Sequence, residues 1–205
     1  MKKTVDIVIC GVGGQGIILV SDLLGEACVK AGLPVTGSET HGMAQRGGSV
    51  EAHIRMGGVF GPKVPLQQAD LLLALEPLEA ARFSLYLRAE GLAIVNLAPI
   101  KPITQKTTYP QQSELLALVK KTGANMIADD FTCYARKIGS EKILNVLMVG
   151  VASPFLPVGF DCLREALKTV VREKFWKINE QALQWGRDYC QRIFSPQGEQ
   201  GRDHA

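Results

Sequence analysis

VDIVICGVGGQG, residues 5–16, is the stretch that decides the fold. Its first half, residues 5–10, is a short apolar run rich in β-branched side chains, which predicts a buried strand. Gly11, Gly13 and Gly16 then fit the pattern G-x-G-x-x-G, which is typical of a tight turn before a helix. Because a helix N-terminus carries free N–H groups and a partial positive charge, this turn is a candidate anion site.

A helix is predicted directly after the turn, because apolar residues recur there at helical spacing. The stripe consists of Ile17, Val20, Leu24, Ala27 and Ala31. Gly32 and Pro34 are expected to end this helix. Residues 34–38 are then predicted to be the second parallel strand, with its carboxyl end beside that of the first.

The glycine pattern by itself does not establish a dinucleotide site. Such a site places an acidic residue about 20 residues further on, where it holds the ribose hydroxyls. Pro34, Val35 and Thr36 stand at that point, and Glu39 follows a few residues late. Close helix–strand packing or a subunit contact is therefore favoured for the glycines, and a stand-alone nicotinamide or flavin oxidoreductase is kept as an alternative.

The second distinctive stretch is ETHGMAQRGGS, residues 39–49. Because ligands bind at the carboxyl ends of the strands in open α/β sheets, we expect this loop to lie beside the glycine turn. Arg46 with Gly47 and Gly48 combines a guanidinium fork with accessible backbone amides, which suits a phosphate or a carboxylate. A salt bridge across a subunit interface is the competing role for Arg46.

The other polar residues of the two stretches complete the candidate site. His41 is expected either to form hydrogen bonds within a tight loop or to act in catalysis, with Glu39 to orient it. Gln15 and Gln45 are expected to join the two loops rather than to bind a ligand carbonyl. The whole set comprises Gly11, Gly13, Gly14, Gln15, Gly16, Glu39, Thr40, His41, Gln45, Arg46, Gly47 and Gly48.

Together the two stretches resemble a known family. GVGGQG followed by SETHGMAQRGGSV is similar to the gamma subunit of the 2-oxoacid:ferredoxin oxidoreductases, and ETHGMAQRGGS most resembles the small beta subunit of indolepyruvate ferredoxin oxidoreductase. The resemblance continues through KILNVLMVG and NEQALQWGRDY and covers most of residues 4–190. It implies oxidative decarboxylation of a 2-oxoacid, here an aryl one such as indolepyruvate, to acyl-CoA and CO₂ with reduction of ferredoxin. A pyruvate- or 2-oxoglutarate-type member is the alternative within the family.

The resemblance also implies that the cofactors are bound by other subunits of a complex. Thiamin diphosphate, Mg²⁺ and [4Fe-4S] clusters would belong to one or more larger partner subunits, with coenzyme A as co-substrate, and this chain would complete the active site or the coenzyme A pocket. The sequence has five cysteines without C-x-x-C spacing, no phosphate-binding loop ending in Gly-Lys-Ser/Thr and no metal-spaced set of ligands. We therefore expect no activity from the chain alone. Homodimer formation stays open, as does a non-enzymatic module that binds a small phosphate ligand.

Length and composition predict one α/β domain, residues 1–194, and a disordered polar tail, residues 195–205. Strands alternating with helices predict a Rossmann-like, open, mostly parallel sheet with helices on both faces. A net charge of +3 does not favour nucleic acid, and the N-terminus has no apolar leader, so a cytoplasmic chain is expected. Residues 143–160 are uncharged, but two prolines and Asn145 favour a buried helix to about Ala152 over a membrane span.

Three further expectations concern the sheet and the helix ends. Residues 49–56 alternate between apolar and polar side chains, which predicts a strand at a solvated edge, with a polar face that docks a partner as the alternative. Further strands are predicted at residues 69–76, 91–97 and 125–128, the last of them central. Asp161 is expected to cap a helix over residues 162–173, and Asn145 to satisfy a loop carbonyl.

Overall fold

The computed structural model describes residues 4–40, 47–58, 61–101 and 108–194. Within them six strands form one sheet, and seven helices accompany it. The strands are β1 (Val5–Val12), β2 (Val35–Thr40), β3 (Ser49–Met56), β4 (Ala69–Ala74), β5 (Leu87–Asn96) and β6 (Asn125–Asp129). The helices are α1 (Ile17–Lys30), α2 (Pro77–Phe83), α3 (Gln112–Lys120), α4 (Phe131–Ile138), α5 (Leu144–Ala152), α6 (Phe160–Val170) and α7 (Trp176–Phe194). The polar tail lies outside the described residues, so its disorder stays a prediction.

The sheet has the order β2-β3-β1-β4-β5-β6. β1, β4, β5 and β6 pair in parallel, with Ile7 opposite Leu71 and Leu92 opposite Asn125, while β3 runs against its two neighbours. The predicted open, mostly parallel α/β sheet is therefore confirmed. β6 lies at an edge of this sheet, not at its centre as predicted.

The second strand does not lie beside the first. β2 pairs with β3, where Val35 is opposite Met56, and β3 pairs with β1, where Met56 is opposite Val5. The expected contact between the first two strands is therefore wrong, because the next strand in sequence inserts between them. Antiparallel pairing needs only a short connection, so β3 can pair with β2 directly after it.

β3 is an interior strand and not a solvated edge. The Arg55 guanidinium donates two hydrogen bonds, 2.9 and 3.0 Å long, to the carboxylate of Asp6 directly across the strand pair. His53 is fully buried, accepts a hydrogen bond from the Val64 N–H at 3.3 Å and packs edge-on against the ring of Tyr86. Alternating polar residues indicated an exposed face, but cross-strand partners allow these side chains to be buried.

Helices cover both faces of the sheet, as predicted. Ile7 and Ile9 of β1 belong to a core formed with α1, α4, α5, α6 and α7, whereas Val8 and Cys10 belong to a smaller core formed with α2 and α3. All nine residues of α5 are buried, and the helix ends at Ala152, so the uncharged segment contains a core helix. None of the helices in the described part of the chain is long and apolar enough to cross a membrane.

Of the helices α4 and α6, the first is capped by an aspartate side chain and the second is not. Asp130 caps α4, because its carboxylate accepts a hydrogen bond from the Cys133 N–H at 2.9 Å. Asp161 does not cap α6: this helix begins earlier than predicted, at Phe160, with Gly159 at the N-cap. Asp161 lies in the first turn instead, where its charge still favours the helix N-terminus.

Candidate functional site

A cleft of about 910 Å³ opens at the carboxyl end of β1. It is bounded by residues 12–16, residues 47–49, the first turns of α2, residues 98–101 and the beginnings of α4 and α5. A larger recess of about 1160 Å³ lies at the beginnings of β1, β4 and β6. Because ligands of open α/β sheets bind outside the carboxyl ends of the strands, the first cleft is the candidate site.

The glycine turn presents the N-terminus of α1 to this cleft. Gly16 is the N-cap residue and has φ +79°, a conformation that glycine adopts without strain. In the described structure no side chain caps α1, and its first turn contains no acidic residue, so its partial positive charge is left for an anion. The Asn145 amide donates a hydrogen bond to the Gly16 carbonyl oxygen at 3.3 Å, the role predicted for it.

Gln15 fastens the turn to the sheet. Its Oε1 accepts a hydrogen bond from the Val12 N–H at 2.7 Å, and its Nε2 donates to the Leu75 carbonyl oxygen at 2.8 Å. Gly11 leaves the space for this side chain, since a Cβ there would stand 2.7 Å from Oε1. Gln15 therefore joins the turn to the residue after β4, and its expected contact with the loop of residues 39–48 stays a prediction, because residues 41–46 lie outside the described residues.

Gly47 and Gly48 lie directly against the turn. The Gly13 N–H donates to the Gly48 carbonyl oxygen at 2.8 Å, and the Gly47 N–H donates to the Gly13 carbonyl oxygen at 3.4 Å. These bonds continue the β1–β3 pairing beyond Ser49 and engage both main-chain polar groups of Gly13. The neighbour of β1 on this side is thus antiparallel, unlike the paired parallel strands of a dinucleotide site.

Of the remaining sequence candidates, one lines the cleft, two lie away from it and three lie outside the described residues. Glu39 and Thr40 end β2 at the edge of the sheet, where β3 separates them from β1, and neither lines the cleft. Gly14 lines the cleft with φ +105°. His41, Gln45 and Arg46 lie outside the described residues, so the roles expected for them stay predictions.

Two buried carboxylates at the start of α2 also line the cleft. Glu76 is the N-cap residue, and one of its oxygens accepts hydrogen bonds from the N–H groups of Leu78 and Glu79 at 2.7 and 3.0 Å. Its other oxygen accepts from the Ile100 N–H at 3.2 Å and from the Tyr109 hydroxyl. Glu76 therefore holds the helix start and the connection after β5 together.

Glu79 holds a different part of the wall. One carboxylate oxygen accepts a hydrogen bond from the Ser49 hydroxyl, and the other accepts from Arg82 Nη1 at 2.6 Å. Burial raises the pKa of Glu79, while the hydroxyl and the guanidinium act in the opposite direction. The sequence-based set did not include Glu76 or Glu79, although Glu-Pro-Leu-Glu after an apolar run is a signature of a helix start.

Exposed basic side chains line the cleft. Arg82 pairs with Glu79 and Arg136 pairs with Glu141. Lys101 and Lys142 also line the cleft and are exposed, and neither forms an ion pair with another described residue. Together with the N-terminus of α1, these lysines favour an anionic ligand. No group of three His, Cys, Asp or Glu side chains within the described residues could hold a metal ion.

Known proteins resemble the chain over nearly its whole length. A family model described as pyruvate ferredoxin/flavodoxin oxidoreductase matches residues 6–189. The indolepyruvate oxidoreductase subunit IorB of Archaeoglobus fulgidus is 39% identical over 186 residues, which cover 88% of this chain and 92% of that one.

Two solved structures share the fold. The gamma subunit of a keto/oxoacid ferredoxin oxidoreductase from Geobacter sulfurreducens superimposes with a TM-score of 0.70 at 23% identity and covers 91% of this chain and 98% of that one. The 2-oxoglutarate:ferredoxin oxidoreductase of Magnetococcus marinus, solved with 2-oxoglutarate, coenzyme A and succinyl-CoA, gives a TM-score of 0.73 at 18% identity. The match covers 93% of this chain and 32% of that longer one.

Proposed function

The chain belongs to the pyruvate ferredoxin/flavodoxin oxidoreductase family as a small, gamma-type subunit of a 2-oxoacid:ferredoxin oxidoreductase, and we propose that its cleft completes the coenzyme A pocket of a larger catalytic subunit. The reaction is the oxidative decarboxylation of a 2-oxoacid to acyl-CoA and CO₂ with reduction of ferredoxin. The observation that carries the proposal is the convergence on one cleft of the α1 N-terminus, Gly47, Gly48 and two lysines that form no ion pair with another described residue.

The cofactors of this reaction are proposed to lie on the partner. The described residues offer no ligand set for a metal ion, and the five cysteines are scattered and free, so these residues do not fit Mg²⁺ or an iron–sulfur cluster. Thiamin diphosphate, Mg²⁺ and [4Fe-4S] clusters on the larger subunit supply the decarboxylation and the electron transfer. This chain binds and orients the co-substrate, and ferredoxin reacts with the assembled complex.

An aryl 2-oxoacid such as indolepyruvate is the proposed substrate. The similarity to an indolepyruvate oxidoreductase subunit at 39% identity supports this choice over a pyruvate or 2-oxoglutarate substrate. The substrate pocket itself is assigned to the partner.

Coenzyme A carries several phosphate groups, which match the charges of the cleft. The first-turn amides of α1 lack intrahelical acceptors and can donate to a phosphate, and Lys101 and Lys142 add positive charge to the lining of the cleft. Arg46 and the Gly48 amide are proposed to hold a further phosphate or a carboxylate of the partner, while the Gly47 amide donates to the Gly13 carbonyl oxygen.

Arg46→Ala tests the ligand assignment in the assembled complex. We expect the KM for coenzyme A to rise by about tenfold, since a charge-assisted contact is lost, while the turnover rate of viologen reduction with the oxoacid substrate stays within about twofold. Arg172→Ala removes an exposed arginine outside the cleft and serves as the control. An Arg46→Ala complex with normal assembly and a normal KM would refute the assignment.

Anaerobic capture of the tagged chain from its own cells tests the subunit arrangement. We expect a stoichiometric larger partner, brown iron–sulfur absorbance and indolepyruvate-dependent viologen reduction in the eluate. A colourless protein without a partner, from cells that express the complex, would count against the proposal and direct attention to nucleotide binding by the chain alone.

A further inference from the structure

The two sides of the cleft are both attached to the first turn of α2. Glu76 binds the Ile100 N–H and the Tyr109 hydroxyl, at either end of the connection between β5 and α3. Glu79 binds the hydroxyl of Ser49, the first residue of β3. One short helix on the smaller core thus fixes segments that lie far apart in sequence.

The contact of Glu79 with Ser49 extends to the glycine turn. Ser49 directly follows Gly48, whose carbonyl oxygen accepts the hydrogen bond from Gly13, and Gly47 donates to Gly13 in return. The carboxylate therefore links α2 to the start of β3. The backbone hydrogen bonds of Gly47 and Gly48 in turn link the start of β3 to the turn that presents α1.

A role at the helix N-terminus alone does not explain the burial of Glu79. Glu114 occupies the same position in α3, the third residue of the helix, and it is exposed. Both carboxylates interact favourably with the helix dipole, but only Glu79 is buried, with 2% of its surface exposed. Because desolvation of a carboxylate is unfavourable, the burial of Glu79 indicates that its contacts with Ser49 and Arg82 have a separate purpose.

We propose that Glu79 is a positioning residue of the cleft, which holds Ser49 and through it fixes Gly47 and Gly48 against the Gly13 turn. The consequence for coenzyme A rests on the function proposed above. Without the carboxylate, the backbone at this wall loses its fixed arrangement. Ligand binding is then weaker, because binding must also order this backbone, which costs conformational entropy.

Amide hydrogen exchange, followed by NMR on the full-length chain alone, tests the positioning without any ligand. In Glu79→Ala we expect the Gly13 and Gly47 amides to exchange about tenfold faster, since the hydrogen bonds that protect them open more often. Core amides, such as those of Ile7 and Ile9 in β1, should keep their protection. Glu114→Ala is the matched control, because it removes the equivalent carboxylate from α3.

Kinetics of the assembled complex then test the functional consequence. We expect Glu79→Ala and Ser49→Ala each to raise the KM for coenzyme A by about three- to tenfold, while kcat and the KM for the oxoacid substrate stay within about twofold. The double variant should resemble either single variant, because both remove the same link. Glu79→Gln keeps an acceptor for the Ser49 hydroxyl and should restore a KM close to that of the parent.

The two measurements separate the two proposals. Unchanged exchange at Gly13 and Gly47 in Glu79→Ala would overturn the positioning role. Faster exchange at these amides with an unchanged KM for coenzyme A would support the positioning role and overturn the coenzyme A assignment instead.

Discussion

Gly16 and Asn145 form a contact that restricts both residues. The Asn145 amide donates to the Gly16 carbonyl oxygen, and its own Oδ1 accepts from the Val146 N–H at 2.8 Å, so the side chain is held from two sides. A Cβ added to Gly16 would overlap the Nδ2 atom. The glycine is needed here for its positive φ and for the close approach of the α5 side chain.

Gly16→Ala should therefore destabilise the chain more than backbone strain alone explains. Gly32, at the other end of α1, also has a positive φ but stands in open space, so Gly32→Ala is the control for strain. We expect Gly16→Ala to lower the free energy of unfolding by about 1–3 kcal/mol more than Gly32→Ala, as measured by urea denaturation. Equal losses would mean that Asn145 can move aside without cost.

Glu79→Gln should change how stability depends on pH. Burial raises the pKa of Glu79 in the folded chain above its ordinary value of 4.5. Between the ordinary and the raised pKa the folded chain binds more protons than the unfolded chain, so its free energy of unfolding falls as the pH rises through this window. The Glu79→Gln variant lacks this titration.

Urea unfolding of both proteins from about pH 4 to about pH 7 measures the difference. We expect the stability of Glu79→Gln relative to the parent to increase as the pH rises. A difference that decreases with pH would show that the Ser49 and Arg82 contacts outweigh the effect of burial.

The sequence could predict what kind of partner a buried polar side chain needs, but not which distant residues form a pair. Asn145 within an apolar helix had to find a polar partner, so its contact with a loop carbonyl was predictable in kind. Ser49 and Glu79 are thirty residues apart, and neither stands in a pattern that indicates the other. Their link depends on the position of β3 next to β1, where the sequence pattern predicted β2 instead.

At the level of elements, α5 and α7 approach each other at two glycines. A Cβ on Gly186 of α7 would stand 2.7 Å from the Val151 nitrogen and closer still to the Leu147 carbonyl oxygen. A Cβ on Gly150 of α5 would likewise overlap the backbone of Leu183. Because helix separation depends on the side chains at the contact, these glycines set the distance between the two helices.

Gly186→Ala should force the two helices apart, since backbone atoms cannot rotate out of the way. We expect a loss of about 3 kcal/mol or more in the free energy of unfolding. Gly25→Ala in α1 is the matched control. No atom of the described residues outside this helix lies within 4 Å of the added Cβ, so alanine should stabilise the chain by about 0.5–1 kcal/mol. Similar effects of the two substitutions would contradict the close crossing.

Elements with strong internal patterns were predictable, but their neighbours in the sheet were not. The apolar run of α5 indicated a buried helix, and the structure has one with the expected end. β3 looked exposed because it alternates polar and apolar side chains. Arg55 of β3 forms a bidentate contact with Asp6 of β1, which allows the polar face of β3 to be buried. This contact can be inferred only once the strand order is known.

At the scale of the whole molecule, the site is assembled where the two layers of helices meet the sheet. α1 from the larger core and α2 from the smaller core both begin at the carboxyl ends of parallel strands, so their first turns border the same cleft. Six segments contribute to its walls, and none carries a complete catalytic set within the described residues. This geometry suits a subunit that binds part of a ligand whose reaction takes place on another chain.

The domain boundary predicted at residue 194 is tested by two truncations. α7 extends to Phe194, and its last turns contain Cys190, which is 1% exposed, and Ile193, which packs against the larger core. Removal of residues 195–205 deletes only the polar segment SPQGEQGRDHA, so we expect an unchanged melting temperature and normal assembly with the partner. Removal of residues 190–205 also deletes the buried contacts and should lower the melting temperature by more than about 5 °C. If the shorter truncation already lowers stability or prevents assembly, the folded domain must extend beyond residue 194.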